Sequence, residues 1–343
     1  MTVSTPSRNI RSRSSRILLN AQTINRWLTI LSISLAGCAL VGKLLGQLYF
    51  FELFSHFAIQ YEWLSYGFLA FWLIYRRSFR NAVEPLTGFV PIGLLLITAY
   101  VSHTTWTPGD YSDPIPAPQG DVRVLHANVL YSREEYRTTV AMVTRQNPDL
   151  YVLQEMTPDP IRFVTSQLRT EYPYWFACRS KQQVWTLVGS RTRFRVEKAL
   201  ALQQHIISLT TQIRGKKMAL VTVHPHTPVI PSWFRERNTQ LTRAAHETRT
   251  GSRPTVLIGD FNISPFSPIY KTIFQAENST AEKGALVAAR TKKTQPTWPR
   301  FFPPMMIPID HAFVNAGFKP QLFRTLYQPG SDHRAIVVDL TFN

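Results

Sequence analysis

Six positions in the second two thirds of the chain set polar or ionisable side chains at the ends of apolar runs. They are Asn128 in HANVL, Glu155 in VLQE, His224 in TVHPHTP, Asp260 with Asn262 in LIGDFN, Asp310 in PIDHAFV, and Asp332-His333 in GSDHRAIVV. Burying such groups is costly unless each finds a partner. Singly, each has a plain explanation: a strand-end Asp or Asn makes a turn, and a lone His is a satisfied structural residue. Together they form a set of carboxylates, amides and imidazoles without a thiol. That set suits a hard divalent cation, Mg²⁺ or Mn²⁺, held by few protein oxygens and several waters. Two histidines and an asparagine supply donors for phosphate oxygens, and an aspartate beside them can orient or deprotonate a water. This is equipment for metal-assisted hydrolysis of a phosphate ester or diester.

The ordered motifs N-V, QE, HP, GDFN, IDH and SDH resemble the endonuclease/exonuclease/phosphatase superfamily, which includes pancreatic-type deoxyribonucleases, abasic-site endonucleases, neutral sphingomyelinases and inositol polyphosphate 5-phosphatases. The resemblance covers about 120–343, and GDFN followed by SPFSPIY, with the late SDH, is its most specific part. It implies an α/β fold, a four-layer α/β/β/α sandwich with the site at one edge of two central sheets. It also implies roles. Glu155 resembles the principal metal ligand, with Asn128 beside it on metal or phosphate and Asp332 close to the metal. Asp260 resembles the residue that positions and activates water, and Asn262 the clamp that follows it. His224 resembles the histidine that binds phosphate or protonates the leaving group. His333 resembles the catalytic histidine on the scissile phosphate, with Asp310 orienting it. His226 and Arg237 are candidates for substrate contact, Arg237 with an anionic headgroup or, equally, an exposed salt bridge on its helix. The sequence departs from abasic-site endonucleases at Leu130, where they carry an aspartate. His311 is an extra histidine with a structural reading.

Alternating strands and helices must position these residues. Asp121 to Val129 alternates as a strand, and Ser132 with Glu135 makes a capping box for a helix whose inner face holds Tyr136, Val140 and Val143. LYVLQE (150–155) is a short buried strand, and Thr157 opens a helix to about Leu168. Strand-like runs follow at 184–189, 206–213, 218–224, 255–260, 309–314 and 335–341. A helix over 232–248 carries Trp233, Leu241 and Ala244 on one side. The domain 121–343 is long enough to bury an ample core.

The first third reads differently. Apolar runs at about 27–45, 57–75 and 83–101 predict three transmembrane helices after a basic tail at 1–26. Arg8, Arg11, Arg13, Arg16 and Arg26 lead the first run, and Arg76, Arg77 and Arg80 sit between the second and third. Positive-inside bias therefore keeps those segments in the cytoplasm and delivers the rest outside a bacterial inner membrane, as a multi-pass protein with an extracytoplasmic catalytic domain. Lys43 lies where it can snorkel. Leu35-Ala36-Gly37-Cys38 also resembles a lipoprotein cleavage site, with small residues for helix packing as the alternative. A proline-rich linker spans 102–120.

The net charge of +17 divides unevenly: residues 1–119 hold 9 Lys+Arg and 5 acids, and the remainder holds 29 and 16, or +13. Such a surface suits nucleic acid or anionic lipid headgroups. Placement outside a membrane favours a lipid-linked or membrane-proximal phosphate. The alternatives are an extracytoplasmic endonuclease on DNA or RNA, and an inactive phosphate-binding membrane protein. No protein partner is expected. Two cysteines exclude a disulfide scaffold, and Cys178 reads as a small buried hydrophobe.

Overall fold

Hydropathy divides the chain, and so does the computed structural model, which describes residues 8–79, 85–106, 117–132, 135–275, 286–290 and 294–343. Two units result, Met1–Thr104 and Thr105–Asn343.

The first unit is helical: α1 Arg8–Leu45, α2 Tyr49–Ser55, α3 Ala58–Phe79 and α4 Pro85–Ser102. One expectation changes here. The α1 helix runs unbroken from Arg8 through Cys38, so the basic segment and the first apolar run share one helix. Among the described residues, one helical stretch, Gln22–Leu45, is long and apolar enough to cross a membrane, in place of the three expected; Phe89–Ser102 is a shorter apolar helix. The α3 helix has the length, but Glu62, its tyrosines and its terminal arginines lower its hydropathy. Within this unit Lys43 Nζ donates to the Val101 carbonyl at 3.4 Å, satisfying one of the free acceptors at the end of α4. The Glu62 carboxylate accepts from Tyr66 Oη at 2.9 Å and Thr104 N at 3.2 Å and meets His103 Nδ1 at 2.8 Å.

Of the expected linker, 107–116 lies outside the described residues. The second unit already includes Trp106, which bridges to Thr294, and Gln119, whose amide donates to Asp339 Oδ2 at 2.9 Å.

The second unit runs β1 Val122–Asn128, α5 Arg137–Gln146, β2 Leu150–Met156, α6 Pro158–Leu168, β3 Tyr174–Arg179, β4 Trp185–Ser190, β5 Phe194–Val196, α7 Lys198–Gln204, β6 Ile206–Ile213, β7 Lys216–Val223, α8 Pro231–Thr250, β8 Thr255–Asp260, α9 Pro268–Phe274, β9 Val287–Ala288, β10 Asp310–Val314, β11 Phe318–Leu326 and β12 Ala335–Phe342. They build two six-stranded sheets, ordered β11-β12-β1-β2-β4-β3 and β5-β6-β7-β8-β10-β9. Each sheet has one parallel pair at its centre, β1 with β2 and β7 with β8. A parallel pair needs a crossover, and α5 and α8 supply the two.

Strand alternation then fixes the layers. Val122 and Val124, Leu150 and Val152, Leu220, Val256 and Ile258, Ala312 and Val314, and Ile336 and Val338 fill one core between the sheets. Leu125, Ala127, Tyr151 and Leu153, of opposite parity, pack with Met142 and Val143 of α5 and Val164 and Leu168 of α6. On the far side α8 packs against β7 and β8. The result is α/β/β/α.

Two local expectations are corrected. The α5 helix starts at Arg137 with Tyr136 as an uncapped N-cap, and the Glu135 carboxylate accepts the Arg137 amide instead of closing a capping box with Ser132. Trp233 does not join Leu241 and Ala244 on the inner face of α8; Phe234 does, and Trp233 stacks on His226 with centroids 4.9 Å apart.

Candidate active site

Strand parity builds the site as well as the core. The face of β1 turned toward the second sheet reads Val122, Val124, His126, Asn128: two valines, then two polar residues. The same face of β2 ends in Gln154, that of β8 in Asp260, and that of β10 begins with Asp310. Each of these four inward faces is apolar at one end and polar at the other, so the polar ends converge at one edge of the sandwich.

Gln154 ties the sheets together there. Its Oε1 accepts from Asp260 N at 2.9 Å, and its Nε2 donates to Val223 O at 3.0 Å and to Thr222 Oγ1 at 3.2 Å. Gly259 makes room for this: a Cβ on it would lie 2.6 Å from Val223 O and 2.9 Å from Gln154 Nε2. Next to Gln154, alternation would point Glu155 at the helices. A left-handed backbone at Glu155 (φ 60°) and a register shift between β2 and β4 turn it into the site instead. Asn262 also takes a left-handed backbone, φ 50°. Such conformations cost about 1–3 kcal/mol each and persist only where surrounding contacts enforce them.

Asp260 is the hub. Its Oδ2 lies 3.1 Å from Asn128 Nδ2 and 3.7 Å from Nε2 of both His224 and His333, while its Oδ1 accepts from Asn262 N at 3.0 Å. Asn128 Nδ2 also donates to Glu155 Oε1 at 2.8 Å, and His224 Nε2 is 3.8 Å from that oxygen. Behind the hub, Asp310 divides its carboxylate: Oδ2 meets His333 Nδ1 at 3.0 Å and Oδ1 meets His126 Nε2 at 2.9 Å. Ser331 Oγ accepts the His333 amide at 3.0 Å and donates to Asn128 O at 2.7 Å, fixing the SDH turn to β1.

Burial and neighbouring charge push these groups apart. Burial raises Asp260, the His333 cation opposes it, and Asp310 adds to it, leaving the carboxyl pushed up to about 7. Burial alone would raise Asp310 too, but His333 and His126 hold it well below the usual carboxylate range. Burial lowers His333, yet the carboxylates of Asp310, Asp260 and Asp332 together raise it to about 10. His224 faces burial, then the charges of His333 and His126, and falls to about 3.

The remaining expected residues sit around this centre. Asp332 accepts from Trp298 Nε1 at 2.8 Å through Oδ2, while its buried Oδ1 has no hydrogen-bond partner. Asn262 donates from Nδ2 to Pro225 O at 3.1 Å and accepts from Thr227 Oγ1 at 3.3 Å. His226 stays out of the hub, stacked on Trp233 and 3.7 Å from Glu236. Arg237 is not on an exposed helix face: it is fully buried, donating from Nη1 to Asn262 O at 3.0 Å and from Nε to Asn238 Oδ1 at 2.9 Å. His311 is structural, held between Ile263 O at 2.7 Å and Arg290. His126 was missed by motif reading, and Gln154, though part of the QE motif, was given no role. The parity of β1 and β2, which puts 126 with 128 and 154 with 152, is the signal that finds them.

A divalent cation fits these residues. Asp260, Asp310 and His333 each offer a ligand atom within 4.8 Å of the others. A cation on Asp310 would compete with two imidazoles. Glu155, Asn128, Asp260 and the unpartnered Asp332 Oδ1 are the oxygens better able to serve a hard ion.

The family model "Endonuclease/Exonuclease/phosphatase family" matches residues 125–333. No curated protein matches the chain. Among solved structures, D. rerio TDP2 complexed with a single-strand DNA product is 16% identical, covering 64% of this chain and 98% of that one with a TM-score of 0.50. An endonuclease/exonuclease/phosphatase from Beutenbergia cavernae is 18% identical, covering 66% and 72%, TM-score 0.51. The mannosyl-6-phosphatase Bt3783 of Bacteroides thetaiotaomicron is 16% identical, covering 64% and 100%, TM-score 0.51. At these identities the likeness is one of fold.

Proposed function

Since the chain belongs to the endonuclease/exonuclease/phosphatase family, and with it to the divalent-metal-dependent hydrolases of phosphate esters, we propose that it is a membrane-anchored, Mg²⁺-dependent phosphoesterase acting on a lipid-linked or membrane-proximal phosphate. The observation that carries the chemistry is the ring around Asp260: two imidazole nitrogens at 3.7 Å and an amide at 3.1 Å about one buried carboxylate. The Gln22–Leu45 helix supports the anchor, and the arginines that lead it support an extracytoplasmic catalytic unit in a bacterial inner membrane.

Glu155, with Asn128 and Asp332, would hold Mg²⁺, which would supply positive charge to the phosphate oxygens. Asp260 aligns a water and takes its proton. Asp310 holds Nδ1 of His333, so that Nε2 of the imidazolium donates to the developing phosphorane charge. His224, kept neutral, donates one hydrogen bond to the phosphate or leaving oxygen. Arg237 positions Asn262 through its carbonyl, and His226 borders the approach.

Release of p-nitrophenol from bis-p-nitrophenyl phosphate tests this: turnover with Mg²⁺, loss with EDTA, and loss in Asp260→Asn and His333→Ala. Wild-type turnover in either variant would sink the assigned site. The +13 charge of residues 120–343 favours a second reading, an endonuclease; efficient cleavage of duplex DNA with phospholipid left intact would establish it over the first.

A further inference from the structure

The loops that carry the site residues expose apolar side chains. Beyond β7 the chain passes His224 and His226 and then presents Ile230 and Trp233, 41% and 36% exposed. Ahead of β10 it leaves Trp298 and presents Phe301, Phe302 and Met305 at 73%, 51% and 37%, within a run, 301–305, that is exposed throughout. Past β1, Tyr131 is 57% exposed.

Each loop is pinned to the site. Pro225 and Thr227 bond to Asn262. Trp298 Nε1 and Arg300 N donate to Asp332 at 2.8 and 2.7 Å. Tyr131 N donates to Glu155 Oε2 at 3.3 Å. Three apolar outcrops therefore leave one mouth, where scattered exposed residues would need no explanation.

Charge and tether select the occupant. Cations accompany the outcrops: Arg300 lies over the exposed Tyr327 ring at 4.7 Å, and Lys181, Arg235 and Arg243 outweigh Glu236 in the groove along α8. Aromatic side chains with flanking cations are the composition of a membrane–water interface. The catalytic unit begins at Thr105 and Trp106, which pair with Thr294 at the head of the segment leading to Phe301. The chain thus enters this unit on the strand of backbone that builds the outcrop, shortly after the apolar helix ending at Ser102.

We propose that Tyr131, Ile230, Trp233, Phe301, Phe302 and Met305 form an apolar collar that inserts into the interface of an anionic bilayer and seats the site over headgroup phosphates. This rests on the reading of the site as a membrane-proximal phosphoesterase.

The test uses the full chain in phosphatidylglycerol vesicles. A fluorophore on Phe302→Cys, in a Cys38→Ser/Cys178→Ala background, should be quenched by brominated acyl chains and shielded from aqueous iodide. Phe301→Ser/Phe302→Ser should leave cleavage of soluble bis-p-nitrophenyl phosphate within about twofold of wild type and slow hydrolysis of phosphate in the vesicle about tenfold, the order expected when two aromatic anchors lose their apolar burial. Phe301→Trp/Phe302→Trp should restore the vesicle rate. A label that stays open to iodide on vesicles, or one shielded by a DNA oligonucleotide and not by vesicles, overturns the collar. Equal loss on soluble and vesicle substrates overturns it too, since the loop would then be structural. Failure of the underlying reading looks different: wild type would cleave no soluble ester with Mg²⁺, whatever the label reports.

Discussion

The sandwich buries charge at both ends of its strands, in opposite ways. At one end Arg123 and Asp339 face each other across the β1–β12 register, with Nε to Oδ1 and Nη2 to Oδ2 both at 2.7 Å. Gln146 O and the Gln119 amide complete the set, so each charge meets its complement. At the other end three buried ionisable groups, Asp260, Asp310 and His333, crowd within 4.8 Å, and two imidazole nitrogens, His126 Nδ1 and His224 Nδ1, have no hydrogen-bond partner. A pair that only holds the fold can close its hydrogen bonds. A site must keep capacity for what it binds, and it pushes its carboxylates apart, Asp260 up to about 7 and Asp310 well down, so that one can accept a proton while the other stays ionised.

Substitutions at the two ends should therefore separate activity from stability. Asp260→Asn should lower turnover of bis-p-nitrophenyl phosphate about 10²–10⁴-fold, the range for losing a general base, while the denaturant midpoint stays near wild type. Arg123→Ala should do the reverse. Leaving Asp339 buried and unpaired costs about 3–5 kcal/mol, read in urea unfolding, with turnover per folded molecule unchanged. Gln154→Leu, which strips one hydrogen bond from the Asp260 amide, should cost about 1–3 kcal/mol and lower turnover as well, because this residue both ties the two sheets together and holds the Asp260 backbone.

The smallest effect is one of pH. In metal-free protein His333 titrates near 10 against 6.5 in the unfolded chain, so the stability it contributes is complete below pH 6.5 and is lost as pH rises through 10. Its imidazole NMR signals should remain those of the cation at pH 8. In Asp310→Asn they should titrate at lower pH, with a flatter dependence of the unfolding midpoint between 6.5 and 10. Signals already neutral at pH 8 in the wild type would contradict the Asp310 contact.

How much was legible follows from where the signal lies. Strands at 150–156, 206–213, 255–260 and 310–314 match the alternating or apolar runs that announced them, because buried strands cannot hide their composition. β11 went unread: Pro320 and its charged neighbours look like loop, and a bulge between Pro320 and Leu322 lets an edge strand carry them. The short β5, α7 and α9 lack the length for a period to show, and β3 is an edge strand buried at one position only. Asn128, Glu155, His224, Asp260, Asp310 and His333 stood out by motif, whereas Gln154 sat in the QE motif with no role of its own and His126 in none.

By itself, then, the sequence determined the division between an apolar helical unit and an α/β unit, the family, and most of the polar residues that converge at the candidate site. Those are matters of composition, period and local motif, which survive without coordinates. Tertiary structure decided that Arg237 faces Asn262 and not solvent, that Asp310 serves two histidines, and that Glu155 turns inward on a left-handed backbone. Each of these depends on which residue of another strand or loop fills the space opposite, and hydrogen bonds spanning 23, 25 and 184 residues leave no mark on local pattern.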